Sequence, residues 1–372
     1  MKIHYLDNAA TTRVSESAAA AALDAMRERY GNPSSMHGLG IAASDLLAAS
    51  RARLAELVNG TAEVIFTSGG TEADNLAIRG AVRANARRGR HVVSTAIEHP
   101  AVLNTLRALE NEGAITLTLV SPDKNGVVPA NRMADAVGDQ TVLISMMLIN
   151  NETGTIQPVK EAAGLIRDRN PACIIHTDAV QGLGKVDLNV GADLISVSGH
   201  KIHAPKGVGA LIVKKGVRLF PVITGGGQEG NLRSGTEPMP LIAAFAAAVS
   251  EAAYGTDEKK RIAALRAYCE DELRARVPQA CVLADGTPHI LCLSLPGGRS
   301  EVIVRMLEET GVYVSSGSAC SRGRRSHVLT AMGLESKIID GAIRVSMSRE
   351  NTKEDIDALI KGLAEAAARF RM

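Results

Sequence analysis

Between residues 63 and 213 the chain alternates short β-branched runs with stretches of helical periodicity. The runs at residues 91–95 and 194–197 predict buried strands, whereas the pattern at residues 72–88 predicts an amphipathic helix. Strands that alternate with helices of this length favour an α/β fold built on a mainly parallel sheet with flanking helices. Because ligands bind beyond the carboxyl ends of the strands in such sheets, the residues that follow each strand are candidates for a functional site.

The pattern changes after residues 225–235, which divides the chain into two predicted domains. Residues 15–254 are predicted to form a large α/β domain. Residues 1–14 and 255–372 are predicted to form a smaller α+β domain, which carries a mobile loop around Cys320. The predicted strands are residues 63–67, 91–95, 115–120, 142–146, 173–177, 194–197, 209–213, 290–295, 312–315 and 342–346. The predicted helices are residues 72–88, 100–112, 159–169, 240–254, 258–276, 300–309 and 353–370.

Charge and composition narrow the class of function. The 42 Lys and Arg residues against 40 Asp and Glu residues leave a net charge of +2, too small a field to hold nucleic acid or an anionic membrane. Aromatic residues make up 2% of the chain, which argues against base stacking. No apolar run is long enough to span a bilayer, and residues 1–7 lack a signal peptide. We therefore expect a cytoplasmic protein without nucleic-acid or membrane partners.

One of the five cysteines has a setting that favours reactivity. Cys320 lies among small polar residues and precedes three arginines, which stabilises a thiolate. The basic run after it is alternatively a solvated loop or a contact for an acidic partner. The remaining cysteines lie in apolar or amphipathic stretches and are predicted to be inert. None of the five forms a C-x-x-C pair, so no structural metal site is expected, although transient metal or cluster contact at Cys320 stays open.

Two predicted strand ends carry motifs for an anion and a reactive amine. Residues 68–72, with the sequence SGGTE, combine glycines with a helix N-terminus and predict a phosphate-binding turn. Alternatively, the motif is a glycine turn with a Thr N-cap. Residues 198–201, SGHK, place Lys201 in a small-residue turn, where desolvation suits a Schiff-base lysine. A surface lysine is the alternative, and Lys206 and Lys185 are rival candidates.

Three further side chains at strand ends are candidates for contacts with a flat ring. Asp178 ends a predicted strand and suits a protonated pyridine nitrogen, with Gln181 near the phenolic oxygen of the same ring. A helix N-cap is the alternative role of Asp178. His99 precedes a proline and either caps a helix or stacks on the ring.

An arginine within an apolar strand requires an anion. Arg344 is such a residue, and a substrate carboxylate held bidentately or a structural ion pair would satisfy it. Asn151 lies in an Asn-Asn-Glu-Thr-Gly sequence after another predicted strand, which is alternatively a plain turn.

Taken together, these residues resemble the cysteine desulfurases of the NifS/IscS type, which are class V aminotransferase-like enzymes of fold type I. The matching stretches occur in the family's order over almost the whole chain. They are YLDNAATT (5–12), GNPSS (31–35), TSGGTE (67–72), EH (98–99), NNE (150–152), DAVQ (178–181), SGHK (198–201), GGGQE (225–229), RSGT (233–236) and SSGSAC (315–320).

The resemblance implies the cofactor pyridoxal 5'-phosphate and a role for each matching residue. Lys201 would hold the cofactor covalently, and His99 would stack on its ring. Asn151 and Arg344 would fix the substrate carboxylate, and Cys320 would be the nucleophile. Thr236 would reach the phosphate of the neighbouring subunit in a homodimer. The other implied cofactor contacts are Gly70, Thr71, Asp178, Gln181, Ser198 and His200.

The resemblance also implies the reaction. The enzyme would remove sulfur from L-cysteine, release L-alanine and leave a persulfide on Cys320. That sulfur would pass to an acceptor, such as an iron–sulfur scaffold protein, and would serve iron–sulfur cluster assembly or thiolation. The alternatives are a selenocysteine lyase, an aminotransferase that would not need Cys320, or a scaffold without catalysis, which would lack Lys201 or Cys320.

Overall fold

The structure is a computed structural model that describes residues 2–60, 62–252, 256–316 and 325–370. Its strands are β1 (His4–Tyr5), β2 (Ala62–Thr67), β3 (His91–Thr95), β4 (Thr116–Val120), β5 (Thr141–Ser145), β6 (Ile174–Asp178), β7 (Leu194–Ser198), β8 (Gly209–Lys214), β9 (Cys281–Val282), β10 (Ile290–Ser294), β11 (Val312–Tyr313), β12 (Ser315–Ser316) and β13 (Ala342–Ser346). Its α-helices are α1 (Glu16–Arg27), α2 (Gly38–Ala55), α3 (Gly70–Asn85), α4 (Pro100–Asn111), α5 (Ala130–Asp135), α6 (Val159–Arg169), α7 (Met239–Ala252), α8 (Thr256–Arg276), α9 (Ser300–Glu309), α10 (His327–Ala331), α11 (Ser336–Asp340) and α12 (Lys353–Arg369).

The main sheet has seven strands in the described part of the chain, in the order β2-β8-β7-β6-β5-β3-β4. Strand β8 runs antiparallel to both of its neighbours, whereas the pairs from β7 to β4 are parallel. The predicted α/β fold with a mainly parallel sheet is therefore confirmed. The parallel order places the ends of β5, β6 and β7 at one edge, where the sequence analysis looked for a site.

Both faces of this sheet are covered, because side chains that alternate along its strands enter two different cores. On β8, Ala210 and Ile212 belong to one buried cluster, and Leu211 and Val213 belong to the other. This alternation is the two-residue period of a strand that is buried on both sides. Helix α3 packs its Leu76 and Ala77 on the second cluster, so its N-terminus is fixed against the sheet edge.

A second, antiparallel sheet has the order β12-β13-β10-β9, and β1 pairs in parallel with β11. A third buried cluster joins these strands to α12 and includes Leu6, Leu291, Ile343 and Leu359. Helix α12 begins with a capping box between Thr352 and Asp355, which satisfies backbone N–H groups of its first turn. The N-terminal residue Leu6 therefore packs in the core that belongs to the C-terminal part of the chain.

The predicted elements are observed to within a few residues, with one exception. The prediction of a single strand at residues 312–315 is wrong, because Val312 pairs with His4 and Ser315 pairs with Arg344, in two different sheets. The sequence patterns do not predict helices α1, α2, α5, α10 and α11 or strands β1 and β9. The proposed boundary at residue 254 lies outside the described residues. Within the described ranges, no helix is both long and apolar enough to cross a membrane.

Candidate active site

A cavity of about 740 Å³ lies at the carboxyl edge of the parallel strands. It brings together residues that the sequence places far apart, from the ends of β6 and β7, the N-termini of α3 and α4, and the middle of β13. Its predicted members are Gly70, Thr71, His99, Asn151, Asp178, Gln181, Ser198, His200, Lys201 and Arg344. Their individual roles stay predictions.

The N-terminus of α3 provides hydrogen-bond donors for an anion. Gly69 is its N-cap and supplies no side-chain hydrogen bond, so Thr71 does not cap the helix, contrary to the alternative considered above. Gly70 lies so close to the sheet edge that an added Cβ would be 2.7 Å from Cγ2 of Val180 and 3.7 Å from Cβ of Ser198. Free N–H groups at a helix start, beside the Ser198 hydroxyl, suit a phosphate.

Lys201 follows β7 directly, and its amine points to the N-terminal segment. Its Nζ donates hydrogen bonds of 2.7 Å to the backbone oxygens of Ala9 and Ala10. Of the rival lysines, Lys206 is exposed. Lys185 lines a separate cavity of about 160 Å³, which Lys201 also lines. The geometry therefore brings Lys201, and neither rival, to the main cavity.

Asp178 is a buried carboxylate at the end of β6. It accepts a hydrogen bond of 2.9 Å from the backbone N–H of Val180. Burial, reinforced by the negative charge of Asp74, raises the pKa of Asp178 to about 7. A cation near this carboxylate would lower that pKa and keep it ionised. Gln181 donates from Nε2 to the backbone oxygen of Ala9 at 2.9 Å, and its buried Oε1 has no hydrogen-bond partner among the described residues.

His99 has the helix-capping role, and its stacking on the cofactor ring stays a prediction. It is the N-cap of α4, where its Nδ1 accepts a hydrogen bond of 3.1 Å from the N–H of Ala101. Because Nδ1 is the acceptor, the neutral ring carries its proton on Nε2. Burial lowers the pKa of His99, and the charge of Asp178 opposes this shift. The ring also lines the cavity, so capping fixes its orientation there.

Arg344 lies on β13 and is already paired. One guanidinium nitrogen donates to the backbone oxygen of Asn151, and another donates to Oδ1 of Asp7, each at 2.8 Å. The structural ion pair considered above is therefore present, and Arg344 lines the cavity as well. Its Nε is buried without a hydrogen-bond partner in the described part of the chain. Burial raises the pKa of Asp7, and Arg344 opposes that shift.

Four acids at or near the cavity were not singled out from the sequence: half-buried Asp7 and the buried residues Asp74, Glu98 and Glu152. Asp7 contacts Arg344, and its only sequence signal is its position in a motif without an assigned role. Burial raises the pKa of Glu98 to about 8 and that of Glu152 to about 7. Glu152 accepts a hydrogen bond from the hydroxyl of Ser326, which begins α10.

Two predicted residues are not among those that line the cavity. Thr236 is exposed and lies away from the cavity lining. Cys320 lies outside the described residues. The described residues that follow its segment, Arg325, Ser326 and His327, all line the cavity. Within the described ranges, no group of three His, Cys, Asp or Glu side chains is placed to hold a metal ion.

The family model described as aminotransferase class-V matches residues 4–359, and the chain belongs to this family. Its full-length relatives include a cysteine desulfurase from Nostoc sp., 39% identical over 381 residues that cover 100% of this chain and 94% of the relative. A solved NifS-like protein superposes with a TM-score of 0.92 at 36% identity, over 99% of this chain and 100% of that one.

A protein named SspA, whose structure was solved in complex with cysteine, is 29% identical and superposes with a TM-score of 0.82. The match covers 94% of this chain and 99% of that chain. The resemblance to the cysteine desulfurases that the sequence motifs indicate is thereby confirmed.

The family depends on pyridoxal phosphate, and the residues at the cavity fit this group. The start of α3 lacks a capping side chain, which suits the phosphate, and the amine of Lys201 suits the aldehyde. The Asp178 carboxylate suits a ring nitrogen, and the buried Oε1 of Gln181 is an unsatisfied polar atom at the same site. The predicted cofactor is therefore consistent with both the family and the cavity.

Proposed function

We propose that this chain is a pyridoxal-phosphate-dependent cysteine desulfurase, which removes sulfur from L-cysteine and leaves L-alanine. The observation that carries the proposal is a single cavity that combines the amine of Lys201, the buried carboxylate of Asp178 and the guanidinium of Arg344. The names of the full-length relatives support the same reaction.

Ten cavity residues divide into groups that would hold the cofactor and the substrate. The start of α3, with Ser198 and His200, would bind the phosphate, and Lys201 would attach the cofactor covalently. His99, Asp178 and Gln181 would contact the ring. When bound, pyridoxal phosphate supplies an electron sink that makes the α-proton of an attached amino acid acidic.

The remaining polar groups would act on the substrate. Arg344 and Asn151 would hold the carboxylate of L-cysteine, because a guanidinium forms charge-assisted hydrogen bonds with it. The amine of Lys201, once released from the cofactor, would take the α-proton at Nζ and return a proton to the product. The neutral ring of His99 carries a proton at Nε2, which is available for transfer near the reacting atoms.

Cys320 is the proposed sulfur acceptor. Its thiolate would attack the substrate sulfur, forming an S–S bond as the substrate C–S bond breaks. The electron pair of that bond stays with Cβ, which takes a proton and becomes the methyl group of alanine. The last described residue before the segment that holds Cys320 is Ser316. The other end of its segment is Arg325, which lines the cavity.

A homodimer is the proposed assembly. Exposed apolar side chains occur on α1 and α2, between these helices and at residues 220–223, and one of them, Met36, is 93% exposed. Apolar surface of this extent is typical of a protein interface. The others are Leu23, Met26, Tyr30, Leu39, Ile41, Phe220, Val222 and Ile223. Exposed Thr236 is proposed to reach the phosphate of the neighbouring subunit.

The sulfur is proposed to pass from Cys320 to an acceptor protein in the cytoplasm, for iron–sulfur cluster assembly or thiolation. The cysteines of the described residues are free thiols, and free thiols are typical of a reducing compartment such as the cytoplasm.

The function is tested by incubating the holoenzyme with L-cysteine and a reductant and measuring alanine and sulfide together. The proposal predicts equal yields of the two products over many turnovers. Sulfide accompanied by pyruvate would show β-elimination instead, a reaction in which Cys320 accepts no sulfur. The absence of both products from an enzyme with bound cofactor would contradict the proposed substrate.

A further inference from the structure

The guanidinium of Arg344 has an anionic partner before any substrate arrives. It forms an ion pair of 2.8 Å with Asp7, and the two side chains are 5% and 20% exposed. A second donor contacts the backbone oxygen of Asn151. These contacts fix both ends of the guanidinium, because each uses a different terminal nitrogen. A substrate carboxylate at Arg344 would therefore be a second anion on a cation that is already oriented.

Asp7 belongs to a rigid N-terminal segment at the cavity wall. Its backbone pairs with Ser346 on β13, two residues beyond Arg344. Its backbone oxygen accepts hydrogen bonds from the hydroxyl of Tyr5 and from the N–H of Ala10. Two residues further on, the backbone oxygen of Ala9 accepts hydrogen bonds from Lys201 and Gln181. These contacts hold the backbone of Asp7 beside Arg344 and connect its segment to residues at the cofactor site.

The charges around Arg344 set the strength with which it holds an added carboxylate. The positive charge of Arg344 favours the ionised forms of Asp7 and Glu152, and the charge of Lys201 also favours the ionised form of Asp7. In a buried site, two carboxylates on one guanidinium repel each other strongly because little water screens them. Asp7 therefore has two opposed effects: it orients Arg344, and it reduces the attraction left for a ligand.

We propose that Asp7 is a positioning residue that orients Arg344 for the substrate carboxylate and, as its resident counter-ion, weakens the hold on the carboxylate of the product. This inference rests on the proposed function, because it takes Arg344 as the carboxylate-binding residue. A weaker hold favours release of L-alanine, whose carboxylate is the same as that of the substrate. The affinity of the site for a ligand carboxylate would then depend on Asp7 and Arg344 together and not on Arg344 alone.

Two substitutions at Asp7 separate these effects. Asp7→Asn keeps an oxygen at Oδ1 that accepts from Arg344 but removes the negative charge. L-alanine should bind this variant roughly three- to tenfold more tightly than wild type, because the repulsion between its carboxylate and that of Asp7 is lost. The KM of Asp7→Asn for L-cysteine should also be lower than that of wild type. Asp7→Ala removes the acceptor too and should bind L-alanine about tenfold more weakly than Asp7→Asn, because Arg344 loses a charge-assisted hydrogen bond.

The experiment is calorimetric titration of the holoenzymes with L-alanine and, separately, with L-alaninamide, which has no carboxylate. The matched control is Asp340→Asn, because Asp340 pairs with Arg325, another arginine at the cavity wall. This control should leave the affinity for L-alanine unchanged. L-alaninamide should bind all variants as it binds wild type.

Tighter binding of L-alanine to Asp7→Asn, confined to the ligand with a carboxylate, would support the proposal. The proposal would be overturned if Asp7→Asn bound L-alanine as tightly as wild type or more weakly. It would also be overturned if the affinity for L-alaninamide changed by the same factor, because a merely structural role of Asp7 would affect the binding of both ligands. These outcomes are independent of the proposed reaction. If the wild-type enzyme released no alanine from cysteine, the function would fail while the calorimetry still reported on Asp7.

Discussion

At the scale of single residues, the site contains buried acids whose protonation is shifted by their surroundings. Burial raises the pKa of Asp74, Glu152 and Asp178 to about 7 and that of Glu98 to about 8. Among these acids, Glu98 connects the ends of β3 and β5 by hydrogen bonds. Its Oε1 accepts from the hydroxyl of Thr95 at 2.7 Å and from the N–H of Met147 at 2.8 Å. We infer that the neutral carboxyl of Glu98 stabilises the turns after β3 and β5.

Glu98→Gln tests this inference through the pH dependence of stability. The folded pKa of Glu98 lies above its unfolded value of 4.5, so the native protein binds more protons than the unfolded chain between pH 4.5 and about 8. Glu98 therefore makes wild type less stable as the pH rises through this window. Glutamine keeps the acceptor and cannot ionise. Between pH 5 and pH 9, the free energy of unfolding of the variant should therefore rise by up to about 4 kcal/mol relative to that of wild type.

Denaturant unfolding of the cofactor-free protein at several pH values measures this difference. Glu161→Gln on α6 is the control, because Glu161 is exposed and its substitution should give no pH-dependent gain. A constant difference between Glu98→Gln and wild type across the window would contradict an uncharged Glu98.

Residues next to predicted strand ends could be assigned from the sequence, whereas partners from distant segments could not. Asp178, Ser198 and Lys201 follow buried runs, so their place at the sheet edge follows from the fold class. Asp7 and Arg344 are 337 positions apart, and no periodicity connects them. Their contact depends on how β13 packs beside the N-terminal segment, which is a tertiary feature.

At the scale of elements, the start of α3 is set by one close contact. An added Cβ on Gly70 would be 2.7 Å from Cγ2 of Val180, closer than real Cβ contacts allow. Gly70→Ala should therefore push the helix start from the sheet edge and misplace the proposed phosphate donors. Overpacking by one methyl group costs about 1–3 kcal/mol, so the affinity for pyridoxal phosphate should fall roughly tenfold.

Absorption titration with pyridoxal phosphate measures this affinity, and a second substitution sharpens the test. Val180→Ala removes the clashing methyl group, so Gly70→Ala combined with Val180→Ala should recover most of the loss. Gly164→Ala on α6 is the control, because an added Cβ there meets no atom within 4 Å. If the double variant bound the cofactor as weakly as Gly70→Ala alone, the contact with Val180 would not be the cause.

Elements with strong periodicity were predictable, and elements defined by pairing partners were not. The inner strands of the main sheet, such as β5 and β7, are buried on both faces, so their apolar runs are visible in the sequence. The run at residues 312–315 also has a strand pattern, but its two halves pair with β1 and β13. Pairing across the chain divides this run, and a local pattern contains no information about it.

At the scale of the whole molecule, we propose that residues 15–254 form one unit, and residues 1–14 with 255–372 form another. The buried cluster of the antiparallel sheet supports this division, because it includes Leu6 with residues of β10, β13 and α12. The cavity receives side chains from both units, since Lys201 comes from one and Arg344 from the other.

Mixed dimers test whether Thr236 acts on the neighbouring subunit. A dimer of one Lys201→Ala chain and one Thr236→Ala chain has one site with both native residues if Thr236 acts across the interface. We expect that this mixed dimer binds pyridoxal phosphate at one site with wild-type affinity. If Thr236 acted within its own chain, each site would lack one of the two native residues, and neither would bind the cofactor with wild-type affinity. Absorption titration of mixed dimers purified with two different tags gives the answer.

Transfer of sulfur from L-cysteine to Cys320 is the step that defines the proposed enzyme. Mass spectrometry of the holoenzyme after one equivalent of L-cysteine without reductant detects this transfer, with alanine measured in the same sample. We expect one added sulfur atom on the peptide that contains Cys320 and one alanine per sulfur. Cys320→Ala should show neither, whereas Cys281→Ala should behave as wild type. Added sulfur on another cysteine, or alanine released by Cys320→Ala, would show that Cys320 does not accept the sulfur.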